Sequence, residues 1–311
     1  QSRLLHGRKT RVFKNLTVFR IGPDWAADLL QAEAALDKDR FVECGATQQQ
    51  SAGWVAPRGP AEAPLLESIA GQWLLRLMVE QRVVPGAVVK RRTDEIADQL
   101  EQSTGRRPGR KQTKELKEQA LLELLPQAFT KRASIGVWLS PTDRWLIVDT
   151  GSATRADEVV TLLVKALPGL SVQALHTNES PAAVMSDWLL SGEPAADFTV
   201  DRECELKTPD EMKSVVRYAR HPLDIEEVRE HIRQGKVPTR LALTWNARIA
   251  FTLTDLLQIR RIEFLDGVFE DDASVSKEER FDADAAIATA ELRRLLPALV
   301  EALGGEHLPA S

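Results

Sequence analysis

Residues 88–132 constrain the fold more than any other segment. They are helical in composition, interrupted only at Ser103-Thr104-Gly105-Arg106-Arg107-Pro108-Gly109, and they stand between segments that read as strands. A helical hairpin is expected, with apolar positions Val88, Val89, Ile96 and Leu100 on one arm and Leu116, Ala120, Leu121 and Leu124 on the other. That stripe is too thin for a deeply buried helix, so the hairpin reads as a projecting arm or a dimerisation element.

The flanking sequence alternates between sheet and helix. Residues 13–21 (Phe-Lys-Asn-Leu-Thr-Val-Phe-Arg-Ile) alternate apolar and polar at period two and read as a half-buried strand. Gly22-Pro23-Asp24 ends it, and Asp24 is placed to cap a helix running to Leu36. Residues 69–80 and 134–149 are strand-like, the second run divided by the turn Ser140-Pro141-Thr142-Asp143. Beyond them, helices are expected over 156–167, 182–190, 223–234 and 282–303, and strands over 171–175, 198–207, 240–251 and 256–264. The seven tryptophans sit in patterned apolar surroundings and read as core. The fold class is α+β: an elongated, multi-lobed monomer with mixed, largely antiparallel sheets and a projecting helical hairpin. Residues 1–12 form an N-terminal extension, 13–87 with 133–200 a central α+β region, 88–132 the hairpin tip lobe, and 201–311 a C-terminal α+β lobe.

Composition narrows the functional classes. The 311 residues are 43% hydrophobic and 28% charged with a net charge of -5, which is the balance of a folded chain and not of a disordered one. The two cysteines, Cys44 and Cys204, are too few and too far apart for a disulfide framework or a cysteine metal site. No run approaches the ~18 apolar residues of a membrane span, and the basic start lacks the apolar core of a signal peptide, so a cytoplasmic location without membrane contact is expected. There is no phosphate-binding glycine loop, no dinucleotide fingerprint, no H-E-x-x-H and no C-x-x-C, so neither a cofactor nor an enzymatic activity is expected. One enzymatic alternative stays open: Asp271, Asp272, Asp282 and Asp284 are able in principle to hold Mg²⁺ for phosphodiester hydrolysis. The plainer reading of these residues is a solvated loop and a helix N-terminus.

Clustered cations carry more information. Lys90-Arg91-Arg92 opens the hairpin, Arg106, Arg107, Arg110 and Lys111 crowd its tip, and Lys131-Arg132 leave its second arm. Arg217, Arg220 and His221, then Lys236 and Arg240, flank the acidic stretch 224–230. Such clusters suit a duplex, which is bound by neutralising phosphates without reading bases. They equally suit a solvated hairpin laced by i,i+4 pairs such as Arg91–Glu95. Phe129 lies just past Pro126 and beside two cations, where an exposed aromatic is expected.

Taken in order, Phe13-Lys14-Asn15-Leu16 with Val18-Phe19-Arg20, residues 41–45, Gly53-Trp54-Val55 with Pro57, Leu124-Leu125-Pro126 with Ala128-Phe129, Gly235-Lys236, Leu241-Ala242-Leu243 with Trp245, Arg280-Phe281-Asp282-Ala283-Asp284 and Leu303-Gly304-Gly305-Glu306 resemble the bacterial RdgC family over nearly the whole chain. The resemblance implies a non-enzymatic, largely sequence-independent duplex-DNA-binding protein, nucleoid-associated, that closes as a ring-shaped homodimer around DNA and restrains the RecA recombinase by competing for DNA. An acidic exterior around a basic lining reconciles this with a negative net charge, because exposed charges beyond ~10 Å are screened from one another. The resemblance places Phe129 at or near the DNA-facing surface, Lys236 in DNA contact, and Arg217, Arg220 and His221 in the lining. Gln127 stands where the family has an arginine, which shifts that phosphate contact toward Lys131 or Arg132. With the tip residues Arg106, Arg107, Arg110 and Lys111, these form the expected DNA surface. A homodimeric scaffold that binds a protein partner and no DNA is the alternative from another class.

Overall fold

A computed structural model describes residues 13–59, 63–211, 213–269 and 276–307. Among them, twelve strands form an antiparallel sheet and seven helices accompany it, an α+β architecture as expected. In chain order these are β1 (Leu16–Ile21), α1 (Leu29–Asp37), β2 (Gln50–Val55), β3 (Leu66–Ile69), β4 (Gln72–Val83), α2 (Gly86–Thr104), α3 (Arg110–Leu124) and, after one 3-10 turn (Leu125–Gln127), β5 (Phe129–Ser140) and β6 (Trp145–Asp149). There follow α4 (Ala153–Ala166), β7 (Val172–Ala174), α5 (Pro181–Ser191), β8 (Phe198–Lys207), β9 (Val215–Ala219), α6 (Glu226–Arg233), β10 (Val237–Trp245), β11 (Ile249–Thr254), β12 (Ile259–Phe264) and α7 (Lys277–Ala302). The chain divides into two compact units, one of residues 1–35, 56–75 and 136–311, the other of residues 36–55 and 76–135.

In the larger unit the strands run β6-β1-β12-β11-β10-β8-β9. The expected turn after Ser140 joins β5 to β6, pairing Ser140 with Trp145. Period-two alternation sends Leu241, Leu243, Phe251, Leu253 and Ile259 to one face, all buried. Helix α7 covers that core with Ala285, Ala288, Leu292, Leu295 and Leu299, spaced at helical intervals and almost fully buried. All seven tryptophans are buried. Trp138 donates its indole N–H to Gln72 Oε1 at 2.9 Å, so a buried ring and a buried amide satisfy each other.

The smaller unit holds β2 paired with β4, helices α2 and α3, and the start of β5. Gly53 is required here, since a Cβ would come within 2.5 Å of Phe41 Cα where residues 39–41 hydrogen-bond to Trp54. Helices α2 and α3 pack against each other through Val89, Thr93, Leu116 and Ala120 as their only buried residues, with Arg92 Nε bonded to Glu123 Oε2 at 2.8 Å.

Several expectations require correction. Helix α1 starts at Leu29 and its cap is Asp28, whose carboxylate accepts from Gln31 N, while Asp24 stays in the preceding loop. The helical segment ends at Leu124, and residues 129–132 are strand, because Pro126 terminates α3 and the chain turns extended at Ala128. The run 240–251 is two strands joined at Asn246-Ala247, both with positive φ, a tight hairpin turn. Strand β9 was not anticipated at all. Helix α7 begins at Lys277 behind a capping box of Ser276 and Glu279, so Asp282 lies inside the helix and not at its start. The 1–12 extension, Asp271 and Asp272 lie outside the described residues.

Candidate nucleic-acid interface

The anticipated cations fall into three settings. Arg106, Arg107, Arg110 and Lys111 are exposed, and none forms an ion pair among the described residues. Local chain chemistry puts them together. Gly105 takes a left-handed conformation to end α2, and Gly109 starts α3 without any side-chain cap. Arg110 and Lys111 therefore occupy the first turn of α3, where open main-chain N–H groups and the helix dipole add to the positive charge. Repulsive within the fold, this arrangement suits an anion.

At the other end of α3, Gln127 and Lys131 are exposed and Phe129 is 89% exposed. Alternation along β5 directs Phe129 and Lys131 to one side and Arg132 to the other. Arg132 is committed there: its Nε lies 2.7 Å from Glu80 Oε1, it also pairs with Glu43, and its guanidinium lies over Phe41. Glu80 is 2% exposed and accepts from Cys44 N at 2.6 Å; that main-chain bond first, then Arg132, hold its carboxyl below the usual range. Arg132 thus neutralises a buried carboxylate, while Lys131, beside Phe129, forms no ion pair among the described residues.

The larger unit carries the remaining candidates, on two sides of its sheet. Lys236 is half-buried and donates to His231 Nδ1 at 3.2 Å; the His231 ring faces Tyr218, which also lies against His221. Burial pushes the Tyr218 hydroxyl up to about 12, with Glu227 contributing. Arg220 is exposed at positive φ at the end of β9. Arg217 points the opposite way from Tyr218 and is not brought together with Lys236. It lines an open groove of about 390 Å³ with Arg240, Arg260, Arg261, Glu203 and Glu205. Arg217 Nε lies 2.6 Å from Glu205 Oε2, and this bond holds the Glu205 carboxyl below its usual range. Arg261 binds Glu203 and Thr252, and Arg260 binds Gln258 and the Gly151 carbonyl. Arg240, Arg260 and Arg261 were missed as a group because their common face follows only from the pairing of β8 to β12; the doublet Arg260-Arg261 was the available signal.

Among the described residues no set of three or more metal-ligating side chains gathers, and no helix is long and apolar enough to cross a membrane. Asp282 pairs with Arg58, which also binds Glu67.

Comparison with known proteins is consistent over almost the full length. The family model described as "Putative exonuclease, RdgC" matches residues 12–306. The protein named recombination-associated protein RdgC from Dechloromonas aromatica is 46% identical over 304 residues, 96% of this chain and 99% of its own. Proteins of the same name from Cupriavidus pinatubonensis and Bordetella pertussis are 45% and 38% identical, each over about 95% of this chain and at least 98% of their own.

Proposed function

The chain belongs to the RdgC family, and from that premise we propose that it binds duplex DNA without regard to sequence, as a homodimer that closes into a ring around it. In this reading it is a nucleoid-associated cytoplasmic protein, and a binding protein rather than an enzyme. It restrains recombination by occupancy, since encircled DNA is not available to RecA. The relatives are named as recombination-associated, which fits DNA as the ligand.

The observation that carries the proposal is the group of four exposed cations around the uncapped start of α3, none of which forms an ion pair among the described residues. Cations that neutralise nothing within the fold raise the local positive potential at no gain in stability, and a polyanion is the ligand that uses them. Phe129 and Lys131, about 22 Å away along the 15 residues of α3, extend the surface, with α2 and α3 as the projecting hairpin. Lys236 and Arg220 are the contacts proposed from the larger unit. Arg132 takes no part, since Glu80 and Glu43 hold it.

Fluorescence anisotropy with two unrelated ~30-base-pair duplexes across a salt series tests the reading. Equal affinities that fall steeply with salt, together with retention on closed circular DNA but release from linear DNA, are expected. Affinities that differ by more than about tenfold between the duplexes overturn sequence independence. Shortening of a duplex end on long incubation with Mg²⁺ overturns the non-enzymatic assignment.

A further inference from the structure

We propose that the outer edge of β9, with the arginine groove beside it, is a docking site for an extended acidic peptide segment of a partner protein, which joins the sheet as an added strand. This does not rest on DNA binding.

Strand β9 ends the sheet, and among the described residues no strand pairs with its outer side. The hydrogen bond from Thr208 N to Ser214 O fixes which residues of the β8–β9 ladder are bonded to each other. With Lys207 opposite Val215, Glu205 opposite Arg217 and Glu203 opposite Ala219, the bonded pairs are the even-numbered ones. The main-chain N–H and C=O groups of Val215, Arg217 and Ala219 therefore point away from β8. They find no partner among the described residues, and all three residues are exposed. This is an open template of alternating donors and acceptors, roughly 17 Å long at ~3.4 Å per residue.

The side chains beside this edge state what suits it. On the outer face Arg217 is 72% exposed, and behind it Arg240 makes no ion pair among the described residues. Glu205 also accepts from Thr239 Oγ1 at 2.8 Å, so Arg217 is able to leave it for an incoming carboxylate without stranding it. Val215 and Val237 flank Lys207 on the same face and offer apolar contact to a β-branched neighbour. A phosphodiester would satisfy the edge's donors but, having no hydrogen-bond donor of its own, not its carbonyls. A second copy paired antiparallel about a two-fold axis would set Arg217 opposite or diagonal to its own image in the registers that overlap most of the strand, and like charges so placed are unfavourable. An extended acidic peptide satisfies both the main chain and the arginines.

The test uses a fluorescein-labelled nine-residue peptide alternating Asp and Val, and a second alternating Lys and Val, against the full chain. Saturable, salt-sensitive binding of the Asp peptide alone is expected. Arg217→Glu and Ala219→Pro should each weaken it at least tenfold; the proline removes an outward N–H and leaves the β8–β9 bonds intact. Unlabelled duplex should not displace the peptide. Undiminished binding by Ala219→Pro means charge adsorption without strand addition and overturns the proposal. Absent peptide binding overturns it too, in favour of a second copy if Ala219→Pro also lowers the sedimentation coefficient. Displacement by duplex, with matching loss of duplex affinity in Arg217→Glu, assigns the groove to DNA instead.

Discussion

Replacing Arg106, Arg107, Arg110 and Lys111 together by glutamine isolates the tip of the two-helix element from everything else in the chain. Each phosphate neutralised contributes about 0.9 to the slope of log affinity against log salt. Four contacts then account for a slope change of about 3.6, so between 50 and 200 mM salt the variant should lose roughly 150-fold less affinity than the wild type. The substitution should not damage the fold, because none of the four side chains forms an ion pair among the described residues. Stability should even rise, since cations in the first turn of α3 oppose its dipole by roughly 0.3–1 kcal/mol each at low ionic strength. Arg92→Gln is the matched control: Arg92 already binds Glu123 and Glu95, so its loss should leave the slope unchanged. Anisotropy titrations at five salt concentrations give the slopes, and a thermal melt gives stability. A wild-type slope in the quadruple variant would remove the tip from the interface and refute the argument from unpaired charge.

Phe129→Ala should leave the melting temperature within a degree or two, since the ring is 89% exposed, yet weaken duplex binding about tenfold in the same titration. Trp138→Phe, read by urea unfolding, should cost roughly 1–3 kcal/mol, because the buried Gln72 carbonyl oxygen loses its indole donor. For pH, the Arg293 hydrogen bond, and Ser140 after it, hold the Asp143 carboxyl below its ordinary value in the folded chain. A depressed carboxyl stabilises fully above its unfolded value near 4 and loses that contribution as pH falls through the folded value. Arg293→Gln should therefore lower the urea midpoint at pH 7, and the gap to wild type should shrink below pH 4; a gap constant from pH 7 to pH 3 would contradict the assignment.

What the sequence made legible was local. The sequence located β1 and β8, the latter with its observed ends, although β1 is not the half-buried strand expected: Leu16 and Val18 on one face and Phe19 and Ile21 on the other are all buried. The exposure of Phe129 was readable from a proline just before it and cations just after. The fate of Arg132 was not, because its partners Glu80 and Glu43 lie 52 and 89 residues earlier and meet it only through tertiary structure. Strand β9 escaped because its five residues, Val-Val-Arg-Tyr-Ala, place apolar side chains on both faces and show no period-two alternation, and without it the opposite facing of Arg217 and Tyr218 had no basis. The β10–β11 turn was hidden by Ala247, which adopts positive φ where glycine usually marks such a turn.

The contact between Arg20 and Glu306 bears on the order in which the chain assembles. Arg20, in β1, lies over the Trp145 ring at 3.4 Å and forks onto Glu306, with Nε 2.8 Å from Oε1. During synthesis the two ends of this contact emerge 286 residues apart, a delay of roughly 15–60 s at bacterial elongation rates of ~5–20 residues per second. Strand β1 also waits for β12, its neighbour on the side away from β6. The nascent chain therefore carries an unfinished sheet until β12 has been made, and the Arg20–Glu306 contact closes later still, by slow, non-local closure. Glu306→Ala would strike that closing step, so it should appear first as poor folding yield and only afterwards as a defect in any ligand-binding assay.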